Sequence, residues 1–258
     1  MKDTLNRGGI RLAYDEEGAG DPPIVFVHGW TCRGSDFAAQ VAHFSPSHRC
    51  IAVDLRGHGD SDAPRQDYTI AGFADDVAWT CDRLGVRDAV LVGHSMGGAI
   101  VLQLAAARPD LARAVALLDP AILFPPETRP LLDQLTEAFA GPEGMEAVRA
   151  FETQQFFIAS SAEELKRRLV DAACRTPQHV VVPAFRDLAA FGAEAALAAV
   201  KAPLLYVGAE PMVRDEARLR AIRPDAIIAR TAGACHFHQV EVPDQVNAML
   251  ARFMEVAG

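Results

Sequence analysis

The sequence predicts an α/β fold built on a doubly wound, mostly parallel sheet, and three observations carry that expectation. Short unbroken apolar runs recur along the chain, at Ile24–Val27, Cys50–Val53, Ala89–Val92 and Ala114–Leu118. Helical stretches separate them. The alternation breaks once, from Pro125 to about Val200, where helical segments follow one another before the apolar runs resume.

Each element has its own reason. Ile10–Tyr14 reads as a short antiparallel edge strand. The four runs that follow end at His28-Gly29, Asp54, Gly93 and Asp119. Apolar residues that do not alternate with polar ones mark strands buried on both faces of a parallel sheet. Ser35–Phe44, Ile70–Leu84 and Met96–Arg108 read as the crossover helices, and strand–helix alternation implies right-handed connections. The insertion contains the helical segments Glu127–Ala140, Glu143–Ala159, Ala162–Cys174 and Pro183–Phe191. Val180, Val181 and Val182 are β-branched, but the run is short and Pro183 follows at once. Strands resume at Leu204–Gly208 and Ala226–Ala229, and the helix Pro243–Val256 closes the chain. The expected division is a core of residues 1–124 and 201–258 with a helical cap over 125–200. Phe139, Phe151, Phe156, Phe157, Phe185 and Phe191 fall in the insertion. Most are expected to hold it together, and one or two to line a pocket.

Composition narrows the function. The 258 residues are 50% hydrophobic and 23% charged, which suits a globular chain with a sizeable core. A net charge of -9 and a pI near 5.3 argue against a nucleic-acid surface, which needs a basic face. No apolar run approaches the roughly 18 residues of a membrane span. The N-terminal segment lacks the apolar stretch of a secretory signal, so a cytoplasmic location is expected. Cys32, Cys50, Cys81, Cys174 and Cys235 are scattered and odd in number, as reduced thiols would be. Neither a zinc-binding HExxH nor a nucleotide-binding glycine loop occurs. No metal or cofactor is expected, and the partner is a small-molecule substrate met by a monomer or homodimer.

The chemistry centres on Gly93-His94-Ser95-Met96-Gly97, which follows a buried strand and opens a helix. In that context a G-x-S-x-G segment places a nucleophilic serine on a strained turn, with small residues where neighbouring backbone must pass closely. Ser95 is therefore the expected nucleophile, and the amides of the helix N-terminus point where an oxyanion would form.

With this elbow, His28-Gly29-Trp30, the segment Asp54-Leu55-Arg56-Gly57-His58-Gly59-Asp60-Ser61, and Ala234-Cys235-His236-Phe237, the chain resembles the α/β-hydrolase family over nearly all its length. The resemblance places the cap after the family's sixth strand. It implies His236 as the base that activates Ser95 and the amides of Trp30 and Met96 as oxyanion donors. His238, two residues on, is the competitor, expected at a pocket rim or surface. His94 is expected to pack beside the elbow, and His28 and His58 to be hydrogen-bond partners in their turns. Asp54 and Arg56 are expected to brace a turn, and the Trp30 ring to wall the acyl pocket. Cys235 stands where the family usually has glycine and is expected to be buried and inert.

The acid is less determined. The family usually supplies Asp after the strand Leu204–Val207, but here Pro211 occupies that position. Asp119 and Glu210 remain, with Asp119 preferred and Asp215 a more distant third. The function implied is a serine hydrolase cleaving a carboxylic ester or lactone of a small, largely apolar substrate. A carbon–carbon bond hydrolase, a thioesterase or a cofactor-free oxygenase would use the same residues. A non-catalytic receptor for a small hydrophobic signal is the non-enzyme alternative.

Overall fold

A computed structural model describes residues 2–209 and 215–257. Eight strands form one sheet: β1 (Lys2–Arg7), β2 (Ile10–Glu17), β3 (Ile24–Val27), β4 (Cys50–Val53), β5 (Ala89–His94), β6 (Ala112–Leu118), β7 (Leu204–Gly208) and β8 (Ile227–Arg230). Their spatial order is β1-β2-β4-β3-β5-β6-β7-β8. The pairs β1–β2 and β2–β4 are antiparallel, and every other pair is parallel.

The edge differs from expectation. The strand beginning at Ile10 lies one position in, and Lys2–Arg7 forms the true edge. The sequence Lys-Asp-Thr-Leu-Asn-Arg carries no buried face, so it lacks the pattern by which a strand is recognised. Such polar, charged edges also discourage pairing with other chains.

The period-2 geometry of strands divides the central residues between two cores. Val25, Val27, Ile51, Val53, Leu91, Val115 and Leu117 face one side, where helices α2 (Ile70–Arg83) and α3 (Met96–Ala107) pack. Ile24, Phe26, Val90, Val92, Ala116 and Leu118 face the other. There they meet α1 (Ala38–Phe44) and the closing helix, which spans Pro243–Ala257. Both faces being covered is why these strands read as unbroken apolar runs.

The insertion between β6 and β7 consists of helices α4 (Arg129–Ala140), α5 (Gly144–Gln155), α6 (Glu163–Ala173), α7 (Gln178–Ala190) and α8 (Ala193–Ala199). Val180 to Val182 belong to α7, and Pro183 sits inside that helix. The β-branched triplet is helical because Val180 and Val181 are fully buried in the larger core, an instance of packing overriding propensity. Two polar contacts tie α7 to the sheet layer. The Asp187 carboxylate accepts the Ile70 amide at the start of α2 at 2.7 Å, and the Trp30 indole donates to the Val181 carbonyl at 2.9 Å. After β7 come α9 (Glu216–Ile222), β8, the short α10 (His238–Glu241) and α11, the closing helix. Among the described residues, no helix is long and apolar enough to cross a membrane.

The strand order contains a switch point. From β3 the chain moves outward to β4, then crosses back to lay β5 on the other side of β3. Connections leave β3 and β5 in opposite directions, which opens a crevice at their carboxyl ends. The His28-Gly29-Trp30 and His94-Ser95 segments both emerge there.

Phe26 tests the packing of this central layer. It is fully buried in β3 with its ring 5.1 Å from that of Phe37. Phe26→Ala is expected to lower the unfolding free energy by about 3–5 kcal/mol, read from urea denaturation. A loss below about 1 kcal/mol would mean that this face is not the core described.

Candidate active site

Ser95 occupies the turn between β5 and α3 with φ +53 and ψ −118, a backbone conformation that a non-glycine residue rarely adopts. Its neighbours explain how the turn is held. A Cβ placed on Gly97 would lie 2.0 Å from the Val27 carbonyl oxygen, and one on Gly93 would lie 2.3 Å from the Gly97 oxygen. Only glycine lets α3 approach β3 and β5 this closely. The Ser95 amide donates to the Leu118 carbonyl at 3.0 Å, and the Ser95 carbonyl accepts from Gly98 and Ala121. The strain is thus clamped from three sides.

His236 lies in the loop between β8 and α10, and Asp119 directly follows β6. The His236 Nδ1 is 2.6 Å from Asp119 Oδ2, and both side chains are almost entirely buried. An Nδ1–H donating to the carboxylate leaves Nε2 as the ring's acceptor, the tautomer a general base needs. Asp119 has φ +37, and its amide donates to the Val207 carbonyl at 2.8 Å. That bond extends the parallel ladder one residue beyond β6 and fixes where the carboxylate begins. The His236 ring packs 4.3 Å from the Phe156 ring and 4.6 Å from the His94 ring. His94 Nε2 lies 2.8 Å from the His236 carbonyl; as donor to it, the elbow's own residue braces the backbone of the histidine loop.

A cavity of ≈ 170 Å³ opens over these groups, lined by Ser95, His236 and Trp30 together with side chains from the insertion. Phe124, Leu131, Leu132, Leu135, Phe151, Phe156, Phe185 and Leu188 make its wall apolar, and Thr128 and Gln155 add polar groups. Among the described residues, no lysine, arginine, aspartate or glutamate lines it. Three of the six insertion phenylalanines therefore reach the cavity, more than expected: Phe151 and Phe185 pack against Trp30, and Phe156 against Phe151 and His236. The Trp30 ring is 5.0 Å from Phe185 and 5.3 Å from Phe139. The Gly29-Trp30 backbone passes tightly over the elbow, since a Cβ on Gly29 would meet Ser95 Cβ at 3.0 Å. Met96 is fully buried at the first position of α3, where a helical amide has no intrahelical acceptor.

The remaining candidates fall away from the cavity or outside the described residues. Glu210 lies outside them. Asp215 caps α9, its carboxylate accepting the Arg218 amide at 2.9 Å. His238 is not at a rim or surface: it is fully buried, with Nδ1 3.1 Å from the Thr231 hydroxyl. Burial lowers it to about 4, so it is neutral at ordinary pH. It is the first residue of α10, on a helix whose opening residues are buried.

The turn motifs are structural. His28 Nε2 accepts the Leu55 amide at 3.0 Å, and burial lowers this ring to about 4. His58 is lowered to about 3 for the same reason. The Asp54 carboxylate accepts the amides of Gly34 and Asp60, and Arg56 pairs with Asp76. Cys235 is fully buried, and burial pushes its thiol up to about 11, leaving negligible thiolate at neutral pH.

Sequence reasoning missed Glu152. This glutamate is fully buried on α5, one turn after the buried Val148. A charged residue at that spacing on an apolar helix face was the available signal. Its Oε1 lies 2.5 Å from the Thr31 hydroxyl, next to Trp30.

Comparison with known proteins agrees with this architecture. Residues 22–176 match the family model described as alpha/beta hydrolase fold. A 2-(acetamidomethylene)succinate hydrolase of Mesorhizobium japonicum is 29% identical over 96% of this chain and 93% of its own. The enol-lactonase of Burkholderia xenovorans LB400 superposes with a TM-score of 0.86 at 25% identity, over 98% of this chain and 100% of that one. Est816, described as an N-acyl homoserine lactone degrading enzyme, superposes at 0.82 with 28% identity, over 97% and 100%. Several other curated relatives match over less than half of their own length. With its motifs, sheet order and elbow in agreement, the chain belongs to the α/β-hydrolase fold family.

Proposed function

We propose that this hydrolase cleaves a carboxylic ester or lactone of a small, largely apolar substrate through an acyl-enzyme on Ser95. The observation that carries the reading is a single apolar cavity lined by both Ser95 and His236, with His236 hydrogen-bonded to buried Asp119. Ser95 Oγ attacks the carbonyl while His236 Nε2 takes its proton. The imidazolium so formed is stabilised by Asp119, and it returns the proton to the leaving alkoxide. The amides of Trp30 and Met96 receive the oxyanion, with the α3 N-terminus adding its dipole. Water then enters, His236 activates it, and the acyl group departs. The insertion serves as a cap that excludes bulk water and selects the acyl chain. Est816 and the Burkholderia enol-lactonase, by their descriptions, act on lactones, which supports the ester-or-lactone class.

The cavity's chemistry argues for a neutral substrate. The Mesorhizobium relative is named for a succinate, which carries two carboxylates. A cavity whose lining, among the described residues, holds no cationic side chain leaves such charges desolvated and unpaired, at a cost of several kcal/mol each. Its small volume also favours short acyl chains over the larger ligands that fill typical pockets of roughly 300–1,000 Å³.

Fluorophosphonate labelling with mass mapping, run beside p-nitrophenyl acetate, butyrate and octanoate, tests the reading. Label on Ser95 is expected, with turnover of acetate and butyrate exceeding that of octanoate. Label without turnover of any ester would shift the assignment to carbon–carbon bond hydrolysis on the same residues.

Substitutions address the roles individually. Ser95→Ala is expected to abolish ester turnover while leaving the melting temperature within a few degrees. Asp119→Asn is expected to lower kcat by about 10⁴-fold, because the wrong imidazole tautomer is then favoured. A loss of less than about tenfold in Asp119→Asn would move the acid elsewhere, with Glu210→Gln the next variant to measure.

A further inference from the structure

We infer that Glu152, held as a neutral acid, is a positioning residue that fixes the turn carrying the Trp30 amide. The inference rests on the serine-hydrolase reading above for its catalytic consequence, though not for its geometry. Gly29 to Cys32 form a tight turn closed by the Cys32 amide donating to the Gly29 carbonyl at 3.2 Å. Thr31 occupies its third position with φ +63. Glycine is the ordinary occupant there, and a β-branched residue is strained and persists only where its surroundings over-determine it. Something must hold Thr31 in place.

The Thr31 side chain shows what does. Its hydroxyl oxygen contacts two acceptors at once, the Trp30 carbonyl and Oε1 of Glu152, the latter at 2.5 Å. One hydroxyl has one proton, so it cannot donate fully to both. If the Glu152 carboxyl carries a proton, the contradiction disappears: Glu152 donates to the Thr31 oxygen, and Thr31 donates to the Trp30 carbonyl. The relay links α5 of the insertion to the peptide just beyond the Trp30 amide. Thr31 and Glu152 are both buried, and Glu152 Oε2 has no hydrogen-bond partner, as suits a neutral carboxyl better than an anion.

The surroundings agree. Burial pushes Glu152 up to about 8, against the opposing effects of the Thr31 contact and the Arg149 charge. Arg149, on the same helix, is engaged by Asp171 of α6. Asp36, from the turn after the Trp30 loop, raises Glu152 further and is itself pushed up to about 6 by burial. Cys32 and Cys174 face the same region, and burial raises both thiols. At neutral pH the relay is intact. Above about 8 the proton leaves, Thr31 is drawn toward the carboxylate, and the Trp30 carbonyl loses its donor. Ester turnover therefore acquires an alkaline limb that belongs to neither Ser95 nor His236.

Two readouts test this, one of them independent of turnover. Trp79→Phe leaves Trp30 as the sole tryptophan of the chain, so its emission reports the turn between pH 6 and 9.5. With Glu152 present, a transition near pH 8 is expected; in the Glu152→Gln background it should vanish, since the amide still donates but does not titrate. On p-nitrophenyl butyrate, Glu152→Gln should keep kcat at pH 7 within about threefold and lose the alkaline limb. Glu152→Leu should lower kcat at least tenfold with KM little changed. Adding Thr31→Gly, which adopts the left-handed turn without strain, should restore most of that loss. An emission transition that is absent, or that survives in Glu152→Gln, overturns the inference, and so does an unchanged alkaline limb. A wild-type chain that turns over no ester but shows the Glu152-dependent transition retains the positioning role and discards the serine-hydrolase reading.

Discussion

One close backbone approach is the constraint on which the site depends. Gly97 at the start of α3 packs so tightly under β3 that no side chain fits between it and the Val27 carbonyl. Because α3 docks there, the β5–α3 connection has room for only one residue in an uncommon conformation, and Ser95 is that residue. The docking also settles what surrounds it. The loop after β3 passes directly over the elbow at Gly29, while the residue after β6 is drawn toward it by the bond from Ser95 to the Leu118 carbonyl. Three strand ends thus converge on one point. Each belongs to the parallel part of the sheet, whose register is set by apolar residues buried on both faces. The precision of the site is inherited from the core.

Asp119, the acid on the proposed reading, follows the same logic. An acid supplied after β7 depends on a loop, whereas Asp119 is one residue past a strand and still hydrogen-bonded to β7 through its amide. A carboxylate at a strand end moves less than one on a loop, and a buried His–Asp pair needs that rigidity. Its attraction repays the desolvation of both groups only where the geometry is good. The bracing of the His236 carbonyl by His94 supplies rigidity on the other side of the pair.

Much of this was legible in the sequence, and the exceptions share a cause. The doubly buried strands, the elbow and the histidine loop announce themselves because backbone geometry constrains the residues allowed there. Ser95 and His236 were placed by that route, and the insertion by the break in strand rhythm. What the sequence concealed depends on partners that a local pattern does not name. Lys2–Arg7 pairs along an edge with no fully buried side chain, so no pattern marks it. Val180 to Val182 became helical through packing. His238 looked like a surface residue because the direction of a four-residue helix cannot be read from its composition. Glu152 contacts a residue 121 positions away, and one glutamate in an otherwise ordinary helix gives little sign of such a partner. The choice between Asp119 and Glu210 has a related origin, since each follows an apolar run in the sequence.

The cavity's character makes positioning matter more than charge. A site holding a lysine, an arginine or a metal can stabilise an oxyanion over a range of geometries, because a full charge acts at a distance. Among the described residues, no charged side chain lines this one. On the serine-hydrolase reading, stabilisation then comes from two backbone amides and the partial charge at the end of α3, whose effect falls off within a turn. Hydrogen bonds to an oxyanion are strong in a dry site but only when preorganised, so a small rotation of either amide is costly. The Met96 amide is fixed by the helix. The Trp30 amide sits in a loop, and that loop is where the structure places a strained threonine and a buried acid from the insertion. On that reading, an apolar substrate carries a structural consequence. Removing charge from the pocket transfers the burden of catalysis to the backbone, and the backbone must be held from outside the strand ends that form it.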